Sequence, residues 1–133
     1  MLLGADTGFF VAYANEHPRA LEIWQEFLDG QHTLVVSALS INEIMVYFFQ
    51  HGRSREAQEW LELLQATEEI ELVPVSAAVA AQSARYRHGL GLSTVDSVIL
   101  ASFLMYQCDK MLTTDDDFQV VEHQQLLNVE ILT

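Results

Sequence analysis

The stretch Met111-Leu112-Thr113-Thr114-Asp115-Asp116-Asp117-Phe118 begins with apolar residues and runs into three consecutive aspartates. Its first residues predict a buried strand, and the polar residues that follow predict the turn that ends it. Three adjacent negative charges repel one another, so solvent, the amides of a helix N-terminus or a cation must screen them. Two interpretations stay open here: Thr114-x-x-Asp117 is a helix-opening cap, or the carboxylates bind a metal ion.

Three further acidic residues, Asp6, Glu43 and Asp96, lie at similar junctions, each at or shortly after the end of an apolar segment. Each also has a purely structural interpretation. Asp6 is a suitable helix N-cap, and both Ser40-x-x-Glu43 and Ser93-x-x-Asp96 have the spacing of a capping box. Cap and ligand interpretations predict the same location, so only the number of converging carboxylates separates them.

Apolar strand segments alternate along the chain with segments of helical periodicity. This alternation predicts a three-layer α/β/α sandwich with a central, mostly parallel sheet of 4 to 5 strands. The length of 133 residues and the lack of a linker or internal repeat predict one domain, residues 1–133. The predicted strands are residues 1–5, 33–36, 70–75, 110–113 and 129–132.

The carboxyl ends of parallel strands meet at one edge of such a sheet, so the acidic residues are predicted to converge there. Four or five carboxylates at one place destabilise each other without a counter-ion, and hard oxygen ligands in that number suit Mg²⁺ or Mn²⁺. Metal ions held in this way support phosphodiester hydrolysis. The converging residues are Asp6, Glu43, Asp96, Asp115 and Asp117.

Composition limits the partners of this chain. Its 6 Lys and Arg against 19 Asp and Glu give a formal net charge of −13, which argues against a wide basic groove for duplex DNA or an anionic membrane and suits a basic partner protein. Cys108 is the only cysteine, which indicates a reducing compartment. No signal peptide or membrane-length apolar run is visible, so we expect a soluble, cytoplasmic protein.

Four motifs together resemble the PIN-domain nucleases over essentially the whole chain: Asp6-Thr7, the segment 37–43, the segment 92–101 and the segment 112–118. Of these, Thr113-x-Asp115-x-Asp117-Phe118 is the most specific. The resemblance implies a metal-binding, catalytic quartet with one auxiliary acid and three hydroxyl residues that support the acids by hydrogen bonds. The quartet would be Asp6, Glu43, Asp96 and Asp115, the auxiliary acid Asp117, and the supporting residues Thr7, Ser37 and Thr113.

A single small PIN domain is most similar to the toxin of VapBC-type toxin–antitoxin pairs. That resemblance implies a Mg²⁺-dependent (or Mn²⁺-dependent) endoribonuclease that forms a homodimer and is silenced by a bound antitoxin protein. Two departures from the family pattern leave the ligands intact: Gly8 stands where Ser or Asn is frequent, and Val95 where Pro is frequent.

Contacts with RNA and with a second copy have weaker sequence signals. Arg85 and Arg87, with His88 beside them, precede the Asp96 helix and are the candidate RNA-binding residues, although a solvated helix face predicts the same pattern. The helix around Tyr47-Phe48-Phe49 is apolar on nearly all sides, which fits either a buried core helix or a dimer face.

Three other functions are compatible with parts of the pattern. A haloacid-dehalogenase-like phosphatase needs a second Asp at the position of Gly8, and a phosphoacceptor receiver domain needs a lysine at a late strand's carboxyl end, whereas Lys110 lies at the opposite end of its strand. A non-catalytic PIN-like module that binds RNA or protein would be favoured by an incomplete carboxylate set. The set here is complete.

Overall fold

Five strands form one fully parallel sheet in the computed structural model, which describes residues 1–133. Their order across the sheet is β3-β2-β1-β4-β5, so β1 is central: the chain first builds outward to β3 and then returns to the other side of β1 for β4 and β5. The predicted parallel sheet of 4 to 5 strands is confirmed. The strands are β1 (Leu2–Ala5), β2 (Thr33–Ser37), β3 (Ile70–Val73), β4 (Lys110–Thr113) and β5 (Asn128–Ile131).

Seven α-helices cover both faces of the sheet and complete the predicted three-layer sandwich. A short 3-10 turn, Asp116–Phe118, follows β4 and leads into the last helix. The helices are α1 (Thr7–Ala14), α2 (Pro18–Leu28), α3 (Ala38–Gln50), α4 (Ser54–Ala66), α5 (Ala77–Leu90), α6 (Thr94–Met105) and α7 (Gln119–His123).

Alternation of side chains along the strands divides the interior into two cores. Leu34 and Val36 of β2 pack against α1 to α4, whereas Val35 between them packs against α5 to α7. Both faces of a parallel sheet are buried, so its central strands carry apolar residues at consecutive positions, as in Leu34-Val35-Val36, whereas the edge strands β3 and β5 include Glu71 and Glu130. This explains why the strand segments appear in the sequence as short continuous apolar runs.

Gly4 allows one helix to approach the sheet closely. A Cβ at residue 4 would lie 2.5 Å from the ring of Phe103, a residue of α6 that is fully buried. The ring therefore occupies the space that a side chain at position 4 would fill. This contact fixes the distance between the central strand and α6.

Helix caps confirm some predictions and correct others. The hydroxyls of Ser76 and Ser93 accept hydrogen bonds from backbone amides and begin α5 and α6, which confirms the predicted cap at Ser93. The predicted cap at Ser40 is wrong. Since β2 continues into α3 without a loop, Ser37 is the first available cap and accepts from the amide of Leu39 at 3.2 Å.

The same correction applies after β4. Asp115, not Thr114, caps the 3-10 turn, with its Oδ1 accepting from the amide of Asp117 at 2.9 Å. The predicted cap and ligand roles of this segment are therefore not alternatives, because one carboxylate oxygen can hold the turn while the other stays free.

The apolar region 47–49 is divided between core and surface. Phe48 packs in the core, so its assignment to an exposed dimer face is wrong, whereas Phe49 is 51% exposed and Val46 is 41% exposed. Consecutive helical residues point about 100° apart, so one of two adjacent phenylalanines is buried while the next faces solvent. No single helix is long and apolar enough to span a membrane; α5 and α6 reach that composition only together, across a bend of 117°.

Candidate functional site

The acidic residues converge because the central strand and its neighbours end at the same edge of the sheet. Asp6 follows β1, Asp115 follows the adjacent β4, and Glu43 lies in the second turn of α3, which begins where β2 ends. Asp96 joins them from the first turn of α6. The predicted location at the carboxyl edge is therefore observed.

Three of the carboxylates form the closest group. Asp96, Asp115 and Asp117 each offer an oxygen, and these oxygens lie within 4.8 Å of one another. The turn after β4 is held by local bonds: the Thr113 hydroxyl accepts from the amide of Asp115 at 3.0 Å, and Asp115 accepts from the amide of Asp117. The backbone therefore fixes the positions of two of the three acids.

Asp6 is the most buried acid of the site, with 6% of its surface exposed. Burial and, to a smaller extent, the nearby Asp96 charge raise the pKa of this carboxyl, which lies at about 7. Hydrogen bonds from the Thr113 hydroxyl and the amides of Phe9 and Gly8 act in the opposite direction. Because burial prevails, the pKa of Asp6 lies well above that of a free carboxyl when no cation is near.

Asp96 couples the remaining acids electrostatically. Its pKa is raised first by burial and then by the charges of Asp115, Glu43 and Asp117. Thr7 donates its hydroxyl to the Glu43 carboxylate at 2.7 Å, as predicted for a supporting residue. The five predicted acids thus share one electrostatic environment, although Asp6 and Glu43 lie outside the closest group of three.

Of the remaining predicted site residues, one supports the carboxylates and the others do not contact them. Thr113 supports the site as predicted, through Asp6 and the amide of Asp115. The Ser37 hydroxyl forms no hydrogen bond to a site carboxylate and instead begins the helix that carries Glu43. Arg85 and Arg87 are exposed on α5 and form no ion pair.

Thr114 is a site neighbour that the sequence patterns do not identify. An ideal Cβ at Gly8 would lie 2.3 Å from the Thr114 Oγ1, 3.0 Å from its amide nitrogen and 3.2 Å from the Asp6 Oδ1. The turn after β4 therefore packs directly onto Gly8. The departure from the family pattern at Gly8 is the one feature of the sequence that points to this contact.

No basic side chain balances the acids. Every ion pair of the chain lies elsewhere, and none involves Asp6, Glu43, Asp96, Asp115 or Asp117. Hard carboxylate oxygens at this density, one of them buried, fit a divalent cation such as Mg²⁺ or Mn²⁺.

A comparison with known protein families identifies the family to which this chain belongs. The sequence model of the PIN domain matches residues 5–124, which is nearly the whole chain and includes all five acids. The chain belongs to the PIN-domain family. The resemblance stated from the motifs is thereby confirmed. None of the curated proteins matches this PIN domain by sequence.

Solved structures of toxin–antitoxin proteins share the fold of this PIN domain. VapBC2 of Rickettsia felis, bound to a promoter DNA fragment, aligns with a TM-score of 0.74 at 17% identity and covers 100% of both chains. VapC20 of Mycobacterium tuberculosis, a toxin that cleaves the sarcin–ricin loop, aligns with a TM-score of 0.72 at 18% identity over 90% of this chain and 94% of that one. VapBC-1 of Haemophilus influenzae gives a TM-score of 0.72 at 17% identity over 99% and 98%.

Proposed function

We propose that this PIN domain is a Mg²⁺- or Mn²⁺-dependent endoribonuclease and the toxin of a toxin–antitoxin pair. One observation carries the proposal: five carboxylates converge at the carboxyl edge of a PIN fold, and the chain supplies no cation to balance them. A divalent cation from solution would supply the positive charge that the chain does not.

Within this proposal, the residues of the site bind the cation and fix the orientation of its ligands. Asp96, Asp115 and Asp117 hold the cation, and Asp6 and Glu43 complete the site from β1 and α3. A divalent cation bound there lowers the pKa of a water molecule and neutralises charge on the leaving oxygen. Thr7 keeps the Glu43 carboxylate in one orientation, while burial of Asp6 excludes bulk water from one side of the site.

The toxin role is supported by the structural neighbours. VapC20 is a toxin that cleaves the sarcin–ricin loop, which is RNA, and another aligned structure is a toxin–antitoxin complex from Klebsiella pneumoniae. For this chain, we propose an antitoxin with a basic surface, since the net charge of −13 favours such a partner. Since an RNA-cleaving toxin acts where its substrate is, we propose that this protein acts in the cytoplasm.

We also propose a homodimer that uses the exposed side of α3. Val46 and Phe49 leave apolar surface in solvent there, which a second copy would cover. Sedimentation velocity of the Phe49→Glu variant should show a loss of dimer relative to wild type at micromolar concentration. A wild-type protein that sediments only as monomer contradicts this part of the proposal without affecting the site.

Cleavage of a structured RNA pool by the purified protein tests the nuclease proposal. We expect cleavage with Mg²⁺ or Mn²⁺, none with EDTA, and a loss of more than about 100-fold in the Asp96→Asn variant, because loss of a direct ligand exceeds the effect of an outer-shell residue. Asp116→Asn is the matched control. Asp116 lies in the same aspartate run, is exposed, and is outside the group of three oxygens.

Three outcomes contradict the proposal. Equal cleavage by wild type and the Asp6→Asn/Asp96→Asn double variant shows that the activity comes from elsewhere. Absence of cleavage despite metal binding by calorimetry favours the alternative, a non-catalytic module that binds RNA or protein. Equal losses in Asp96→Asn and Asp116→Asn would indicate a general effect of charge.

A further inference from the structure

The basic residues of this chain fall into two classes. Four of the six form ion pairs with carboxylates of the same chain, and only Arg85 and Arg87 form none. Both lie on the exposed surface of α5. In a protein with a net charge of −13, these two arginines are the cations that are free to meet an anionic ligand. The paired residues are Arg19, Arg53, Arg55 and Lys110.

One of these arginines lies in a groove. Arg87 and the adjacent His88 line an open groove of about 650 Å³ between α5 and α6, whereas Arg85 is not among its lining residues. Small side chains leave the space open, and hydroxyl groups face it from both helices. The rest of the lining is Ala80, Ser83 and Ala84 from α5 and Thr94, Ser97 and Val98 from α6.

The groove is connected to the carboxylate cluster by the first turn of α6. Thr94 and Ser97 line the groove, and Asp96, which lies between them in sequence, contributes its carboxylate to the cluster. A polymer bound along α5 and α6 would therefore meet the carboxylate cluster at the first turn of α6. Arg87 and His88 line the groove without forming an ion pair with any of the site carboxylates.

We propose that the groove between α5 and α6 binds the RNA backbone on one side of the scissile bond, with Arg87 and His88 contacting a phosphate. This inference rests on the proposed function, since it assigns a second subsite to the same substrate. A guanidinium binds phosphate with two parallel hydrogen bonds, and an imidazole ring adds a further N–H donor. Arg85, exposed nearby, adds a weaker long-range attraction.

Direct RNA binding tests the subsite independently of cleavage. The probe is a fluorescein-labelled oligouridylate in Ca²⁺, read by fluorescence anisotropy at several salt concentrations. We expect Arg87→Ala to weaken binding about tenfold and to lower the salt slope by about 0.7, the change for one single-strand phosphate contact. We expect Arg85→Ala to lower the RNA affinity about twofold. Arg87→Lys should bind RNA more tightly than Arg87→Ala but less tightly than wild type, because lysine keeps the charge but cannot form two parallel hydrogen bonds to a phosphate.

Arg55→Ala is the matched control. Arg55 is a highly exposed helical arginine whose ion pair with Glu59 is 3.4 Å long, so its removal changes the net charge equally without touching the groove. Unchanged affinity in Arg87→Ala overturns the proposal, and so do equal losses in Arg87→Ala and Arg55→Ala. Altered sedimentation in Arg87→Ala with unchanged RNA affinity also overturns it, because the groove then faces a second copy.

The two proposals fail in different ways. If RNA cleavage depends on Asp96 but neither RNA affinity nor KM changes in Arg87→Ala, the nuclease stands and the subsite is rejected. If the groove binds RNA in the anisotropy assay but no cleavage occurs with Mg²⁺, the subsite stands and the nuclease is rejected.

Discussion

Two carboxyl groups of this molecule, Glu130 and Asp6, show opposite electrostatic environments. Glu130 accepts hydrogen bonds from Arg19 at 2.7 Å and from Lys110 at 2.7 Å, and these cations lower its pKa to about 2. Asp6 has no cation within an ion-pair distance, and burial raises its pKa to about 7. The chain thus balances a structural acid internally and leaves the acids of its candidate site to be balanced from outside.

The largest predicted change in stability concerns Asp6, the acid that no cation of the chain balances. Without metal, Asp6 ionises near pH 4 in the unfolded chain but only near pH 7 in the folded one, so wild type loses stability as pH rises from 4 to 7. Asp6→Asn removes this cost. In EDTA at pH 8, we expect the variant to have a free energy of unfolding higher than that of wild type by on the order of 3 kcal/mol.

Urea denaturation at pH 4 and pH 8 measures this effect, with Asp116→Asn as the control that should follow wild type. Millimolar Mg²⁺ should raise the stability of wild type at pH 8 and have a smaller effect on Asp6→Asn, because only a site with its full ligand set gains from binding. A variant that is less stable than wild type at pH 8 in EDTA would contradict the assignment of Asp6 as an unbalanced acid.

Substitution of Glu130, the acid that is balanced by cations of the chain, should lower the free energy of unfolding. Glu130→Gln removes a partly exposed ion pair, and after allowance for solvent screening we expect a loss of about 1–2 kcal/mol at pH 7. Since its folded pKa lies below the unfolded value of 4.5, this contribution is complete above pH 4.5 and disappears as pH falls towards 2. Glu69→Gln, at an exposed position without an ion pair, is the control. Equal unfolding midpoints for both variants would mean that the cations do not stabilise β5.

The smallest predicted effect concerns the support of the site. Thr7→Val keeps the shape of the side chain but removes the hydrogen bond to Glu43, which should weaken Mn²⁺ binding about fivefold by calorimetry. Thr33→Val, which alters an exposed threonine at the start of β2, should bind Mn²⁺ like wild type. Unchanged affinity in Thr7→Val would mean that Glu43 is held in place by the helix alone.

The sequence predicted the features that depend on local periodicity and on the direction of the chain. The central strands are short apolar runs, and Asp6 and Asp115 lie together because the parallel strands that precede them share a carboxyl edge. Asp96 follows no strand and reaches the same edge from the first turn of α6. Neither inference depends on knowing which side chains are in contact in the folded protein. The same argument explains why the site could be located before its contacts were known.

Tertiary contacts decided what the sequence could not. Ser37 and Ser40 both have the spacing of a cap, and only the direct continuation of β2 into α3 selects Ser37. Phe48 and Phe49 are adjacent and equally apolar, and only the packing of α3 separates core from surface. Similarly, the pairing of Arg19 with Glu130 joins residues 111 positions apart, which no local pattern indicates.

The contact between Gly4 and Phe103 gives the candidate site its dimensions. Gly4 lies on the strand that leads to Asp6, and Phe103 lies about two helical turns from Asp96 on α6. The separation of these two candidate ligands is therefore influenced from inside the core, because Gly4 has no Cβ and so lets α6 come close to the sheet. Selectivity for the size of a cation can in this way change by mutation without any change in a ligand.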